Sequence, residues 1–325
     1  MPYPTTGDFV TNPTYSGSFI PTLWSSKLNA KFYKATVFGE IANTDWEGEI
    51  KNMGDKVTIN NVPDLTISNY TVGGTLSYQV PTPSTITLNI DKGKSFAFKV
   101  SDVLAYQSDI KLIDTFSDDA ASKMKVAIDS TVVYNTFSKA AAANKGATAG
   151  VNSGGIDLGT DAAPVTLTAS NVLDVILRLA AVLDEQNAPE SDRWLLLDPL
   201  TRQLLMQSNL AQAQYTGDAS SPVRNGKIGG IDRFTVYVTN NLPRAAAAFD
   251  FKSGDGSEGG VTAVAGAPAR RVLVAGHKSA ITFASQMTKM ETLPNQNDFG
   301  SLVRGLNVYG YEVVKPDTLT FAVVK

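Results

Sequence analysis

Between residues 57 and 91, apolar and polar side chains alternate through a Thr-rich run of thirty-five residues that carries only two charges, Asp64 and Asp91. Period-two alternation predicts strands, so the run is expected to form two long β-arms, with the return arm clearest at Ile86, Leu88 and Ile90. An isolated hairpin is marginal in water, and exposed strand edges template aggregation. The arms are therefore expected to lie on another surface. A second copy of the chain is the best candidate for it.

Strict alternation continues at Phe96, Phe98 and Val100, after a turn predicted at Asp91-Lys92-Gly93-Lys94. The period then changes. Ile113, Phe116, Ala120, Met124, Ala127 and Thr131 recur every three or four positions, which predicts one helix over 109–139, roughly 46 Å long at about 1.5 Å per residue. Asp109, Asp114, Asp118 and Asp119 fall in its first third and Lys123, Lys125 and Lys139 later, an order that complements the helix dipole. A Gly-, Ala- and Ser-rich stretch ending near Asp161 then marks a domain boundary.

Beyond it the pattern is α/β. A helix over 170–186 places Val172, Leu173, Ile176, Leu179, Ala180 and Leu183 on one side and pairs Asp174 with Arg178 at i,i+4. Residues 194–197 read as a buried strand, and Asp198-Pro199 as N-cap and N1 of a helix ending near Ser208. Strands follow at 234–238, 271–275, 302–314 and 319–324, with polar or Gly-rich loops at 212–230 and 254–268. At the other end, residues 1–21 carry Pro2, Pro4, Pro13 and Pro21 and read as an extended arm. A short amphipathic helix over 23–33 follows, with Leu23, Trp24, Leu28 and Phe32 on one face.

Composition narrows the function. Charged residues make up 18% of the chain, below the roughly 25% of ordinary soluble domains, which fits a molecule largely covered by partners. The formal net charge of −3 argues against a basic nucleic-acid-binding face. There is no cysteine, so disulfides, thiol catalysis and Cys-ligated zinc are excluded. The first twenty-one residues lack the pattern of a signal peptide, and no run approaches the length of a membrane span.

Catalytic chemistry finds little footing. The single histidine, His277, reads as structural. Gly93-Lys94-Ser95 resembles the end of a phosphate-binding loop, but Leu88 stands where that loop needs glycine, so a strand-to-strand turn is the better reading. Asp118 and Asp119 read as a solvated helix face. Asp250, Asp255 and Glu258 do not match calcium-loop spacing. No catalytic residue, cofactor or metal site is expected. Trp24, Trp46 and Trp194 read as core or interface anchors, and Trp24, Trp46, Tyr70 and Tyr78 are the candidates for contact between subunits.

Several local motifs occur in one order along the chain: Asp45-Trp46-Glu47-Gly48-Glu49-Ile50 before Gly54-Asp55-Lys56-Val57; Ile228-Gly229-Gly230-Ile231-Asp232-Arg233-Phe234 running into Val236-Tyr237-Val238-Thr239-Asn240; Ala275-Gly276-His277; and Phe299-Gly300-Ser301-Leu302-Val303-Arg304-Gly305-Leu306. Their order resembles the major capsid proteins of tailed bacteriophages, the Hong Kong 97-type fold. The resemblance implies an α+β fold. Residues 1–45 would be an N-terminal arm, 46–100 peripheral-domain strands with the extended loop, 101–145 the spine helix, 146–285 the axial domain and 286–325 the peripheral return strands.

It further implies self-assembly as hexamers and pentamers into an icosahedral shell around double-stranded DNA, bound without sequence specificity, in a virion assembled in the host cytoplasm without a membrane. The extended loop begins early and the chain starts at Met1. A separate scaffolding protein, or none, is therefore expected rather than a cleaved leading segment, with a portal during assembly. The type member of the fold cross-links through a lysine in this loop. No lysine lies between Val57 and Asp91, so the contacts are expected to be non-covalent, with room for a cement protein. The alternatives are an encapsulin-type nanocompartment shell, disfavoured by the Pro-rich arm, and a β-rich tail or surface-binding protein, disfavoured by the long helix. An enzyme ranks last.

Overall fold

The computed structural model describes residues 36–46, 56–63, 65–67, 69, 72–73, 78–101, 112–208, 230–245, 270–295 and 299–325. The expected arm over 1–21, the helix over 23–33, the loops over 212–229 and 254–268, and the acidic trio Asp250, Asp255 and Glu258 lie outside them.

A sheet of β12 (Leu319–Val324), β9 (Arg270–His277), β5 (Arg193–Leu197), β7 (Phe234–Val238) and β6 (Gly230–Ile231) forms the centre, with β8 (Arg244–Ala245) also on β9. Strand alternation sends side chains to two cores. Trp194, Leu196, Val272, Val274, Leu319, Phe321 and Val323 face one, and Leu195, Leu197, Leu273, Ala275, Ala322 and Val324 face the other. The second core is closed by α3 (Val172–Glu185) and α4 (Pro199–Gln207). Helix α3 carries the expected Arg178–Asp174 pair at 2.7 Å. Asp198 caps α4 by accepting from the Thr201 amide at 3.2 Å, with Pro199 at the first helical position. Arg193, only 1% exposed, ties α3 to β5: its guanidinium donates to Asp184 Oδ1, Pro189 O and Ala188 O, each at 2.7 Å.

The first core lies between this sheet, the helix α2 (Leu112–Thr136) and a second sheet ordered β1 (Ala42–Asn43), β10 (Ile281–Pro294), β11 (Gly300–Val313) and β4 (Lys92–Ser101). Strands β10 and β11 form a long hairpin whose register shifts between Ser285 and Met287. Below the shift, Ile281, Phe283, Tyr309, Tyr311 and Val313 enter the first core. Above it, Leu293, Leu302 and Leu306 stay exposed.

Four expectations change. The helix α2 forms as predicted and ends in a 3-10 turn (Phe137–Lys139), but its buried residues are Ser117, Ile128, Asp129, Val132, Val133 and Thr136. Of the predicted stripe, Phe116, Ala120, Met124 and Ala127 face β4 across an open groove instead. Burial is decided by where the two sheets converge, at the C-terminal half of the helix. Second, β12 does not join the peripheral return strands expected for 286–325. It pairs antiparallel with β9, Phe321 opposite Val274, so a boundary at 285/286 cuts across the sheets. Third, Gly93-Lys94-Ser95 is neither phosphate loop nor turn: β4 starts at Lys92 and pairs with β11 throughout.

Fourth, the β-arms are short. Strands β2 (Lys56–Asn61) and β3 (Ser84–Asn89) pair from Lys56↔Asn89 to Asn61↔Ser84 and stop there. Pro63, Pro81 and Pro83 lack the N–H that a longer ladder needs. The β2–β3 hairpin packs Ile59, Leu88 and Ile90 on Ala284 and Val314, with Trp46 and Val308 alongside. At the crossing the backbones nearly touch. A Cβ at Gly310 would sit 2.0 Å from the Asn89 carbonyl oxygen. Gly310→Ala should therefore lift the hairpin and cost about 1–3 kcal/mol in denaturant unfolding. Gly39→Ala, where a Cβ meets nothing within 4 Å, should be neutral or mildly stabilising.

Candidate assembly surfaces

Among the described residues, no three His, Asp or Glu side chains cluster as a metal site would require. Asp118 is exposed, and its neighbour Asp119 pairs with Lys123 at 3.2 Å on the helix surface. His277 closes the turn between β9 and β10. Its Nδ1 accepts from the Ser279 amide at 3.1 Å and lies 2.7 Å from Ser279 Oγ, so Nδ1 is the unprotonated nitrogen.

Burial pushes the His277 imidazole below its ordinary pKa. Asp192 opposes the shift, and Lys315 and Arg193 reinforce it. Burial also drives the Tyr311 phenol up to about 12, against a hydrogen bond donated by Asn135 Nδ2 at 2.8 Å. Tyr311 thus joins α2 to the second sheet, while His277 lies where the two sheets connect. Lys92 lies over the Tyr311 ring, 4.8 Å from its centre.

The surfaces offer more than the clefts. The segment joining β2 to β3 carries Val62, Ile67 and Val72 at 93%, 95% and 93% exposure, with Tyr78 and Val80 at 88%. Its two limbs are held together by Gln79, whose Oε1 accepts from the Thr66 amide at 3.1 Å and whose Nε2 donates to the Thr66 carbonyl at 3.0 Å. A side-chain amide thus replaces strand pairing where the prolines forbid it. A second surface is the outer face of the distal β4–β10–β11 sheet. Leu293, Leu302 and Leu306 share it with Lys289, Glu291 and Arg304. Hydrogen bonds from Lys289 and Arg304 hold the Glu291 carboxyl below its usual range. The third is the groove of about 460 Å³ between β4 and α2, walled by Phe96, Phe98, Phe116 and Met124, where Phe98 and Phe116 meet edge to face at 6.0 Å.

Of the four predicted contact residues, Tyr78 lies on the first surface. Trp46 is half-buried against the β2–β3 hairpin of its own chain, and Trp24 and Tyr70 lie outside the described residues. Asp129 escaped the sequence reading. It is fully buried on α2, and its carboxylate accepts from Val37 N at 2.8 Å, Phe38 N at 2.7 Å and Asn241 Nδ2. A signal was present. Asp129 stands three and four residues before Val132 and Val133, on the apolar face, where a carboxylate needs dedicated donors.

The depressed His277 pKa has a testable consequence. As pH falls, the unfolded chain takes up this proton first, so the contribution to stability is full above about 6.5 and is lost as pH falls toward the lower folded value. The chain has no other histidine. Thermal unfolding followed from about pH 8 to about pH 5.5 should show a decline that His277→Gln flattens.

A sequence model of the family described as phage capsid protein matches residues 83–323. Comparison with curated proteins gives no match. Among solved structures, one from Mycobacterium phage Che8 is 25% identical, with 94% of this chain and 97% of that chain aligned at a TM-score of 0.71. The capsid structure of the cyanophage P-SCSP1u aligns over 95% and 94% of the two chains at 17% identity and a TM-score of 0.71. The asymmetric unit of the bacteriophage PhiM1 mature capsid aligns over 99% and 98% at 14% identity and 0.67. The family match spans both sheets and α2, and the fold agrees from end to end: the chain belongs to the phage capsid protein family, as a major capsid protein with the α+β, Hong Kong 97-type fold.

Proposed function

We propose that the subunit builds an icosahedral shell of hexamers and pentamers around double-stranded DNA, and that the exposed loop between β2 and β3 is laid across a neighbouring subunit. The exposure of Val62, Ile67, Val72, Tyr78 and Val80 carries this reading. So many exposed apolar side chains on one segment mark an interaction site. In this reading the β1–β10–β11–β4 sheet with α2 is the peripheral domain. The central sheet with α3, α4 and the final strand β12 is the axial domain. Tyr78 is a contact between subunits, with Trp24 and Tyr70 as further candidates; Trp46 supports the loop from within its own chain. The work is mechanical and calls for no catalytic step.

Assembly takes place in the host cytoplasm with a separate scaffolding protein and a portal, and a cement protein has room to bind outside. DNA is enclosed without base-specific contact, consistent with a net charge of −3. Closed symmetry multiplies modest contacts into one stable container.

Electron microscopy of the expressed protein tests the reading. Closed shells are expected, and a persistent monomer at high concentration would overturn it. Ile67→Lys with Val72→Lys should abolish shells while leaving subunit stability within about 0.5 kcal/mol, because both side chains are free of the subunit core. The loop between β2 and β3 offers no lysine for a cross-link. Mature particles should therefore run as monomers on denaturing gels, and a ladder of covalent oligomers would contradict the non-covalent contact.

A further inference from the structure

From residue 36, the first described, the chain enters α1 (Phe38–Ile41), where one buried carboxylate meets it. Asp129 Oδ1 accepts from the Val37 and Phe38 amides at 2.8 and 2.7 Å, while Oδ2 accepts from Asn241, which follows β7 of the central sheet. Three chain segments separated by 92 and 112 residues thus share one side chain. No described cation pairs with it. Around it, Val37, Ile41, Ile128 and Leu242 are buried in the first core, and the Phe38 ring rests on Phe283 at 5.0 Å.

A carboxylate is an unusual choice for so dry a place. Taking it out of water is costly, and the bonds from three N–H groups offset that cost only while all three segments are in position. Docked, the charge-assisted bonds are strong. Undocked, the carboxylate regains water that an apolar side chain would not want. Such a group favours either of two states over anything between them.

We propose that Asp129 is a releasable latch for the root of the N-terminal arm: residues 37–41 are docked on it in the free subunit and can open locally while β1, from Ala42 on, and the two sheets stay folded. The use of the latch rests on the capsid reading, since arms that overlap neighbours must be redirected as contacts form. The latch itself does not depend on a shell.

Hydrogen exchange of the full-length, unassembled chain tests it. In the wild type, the Val37 and Phe38 amides should exchange through an opening insensitive to low urea, whereas β5 and β9 amides follow the urea-dependent global opening. The same urea dependence at both places would overturn the proposal. Asp129→Asn sets an amide against Asn241 and removes the charge. It should speed exchange at 37–41 about tenfold or more and leave β5 and β9 within about twofold. Unchanged exchange at 37–41, or an equal loss everywhere, would mark Asp129 as an ordinary core residue. Should Asp129→Asn not fold, Asn241→Ala, which removes one donor of three, should give the same local effect at smaller size. Failure to form shells would sink the proposed function and leave these readouts intact.

Discussion

The central sheet is buried on both faces, and the rest of the subunit is arranged around that fact. Adjacent residues of β5, Trp194 and Leu195, point into different cores, as do Val272 and Leu273 of β9 and Phe321 and Ala322 of β12. A sheet of this kind needs cover on each side. Helices α3 and α4 cover one. The other falls to α2 and the near half of the β10–β11 hairpin, which is why β10 must leave β9 through the tight His277 turn. The cover is finite, however. It ends near the register shift at Ser285, and everything beyond projects from the body.

Body and projections therefore obey different rules. Within the body, several buried charged groups meet specific partners: Arg193 with Asp184, Arg271 with Asp198 at 3.2 Å, and Asp129 with three N–H groups. On the projections, several large apolar groups are exposed. Leu293, Leu302 and Leu306 lie open to water, and so do Val62, Ile67 and Val72. The ion pairs of Glu291 with Lys289 and Arg304 hold little together, since exposed pairs contribute little. Their effect is to interrupt an apolar face that would otherwise attract any strand or sheet.

Most of the elements were legible in the sequence because their periods are local properties. The spacing that makes α3 and the alternation that makes β4 and β7 need no knowledge of distant residues. The Asp198-Pro199 start of α4 is equally local. What could not be read was set by distant partners. Nothing in 319–324 says that this strand belongs beside 270–277 instead of beside the hairpin that precedes it. The face of α2 that is buried depends on where two sheets meet. The predicted stripe of Phe116, Ala120, Met124 and Ala127 has regular spacing and yet lines an open groove. Asp129 was visible as a misplaced charge, but its donors at 37, 38 and 241 were not. The contact candidates Trp46 and Tyr78 looked alike in sequence and differ in place, one packed under the hairpin and the other open.

The uncharged run at 57–91 shows how a chain can carry sticky residues without sticking at random. Alternation alone would extend β2 and β3 into a long ladder with two free edges. Pro63, Pro81 and Pro83 end the ladder at Asn61↔Ser84, so the most exposed apolar residues sit on backbone that cannot template another strand. Gln79 then joins the limbs through its side chain, spending the free N–H and C=O of Thr66 inside the loop. Main-chain hydrogen bonding, which is indifferent to partner sequence, is thereby withdrawn at Thr66. In the proposed contact, recognition would fall to the shapes of Val62, Ile67, Val72 and Tyr78, which only a matching apolar surface satisfies. The same scarcity of charge that makes the loop a liability in solution would then make it selective in contact.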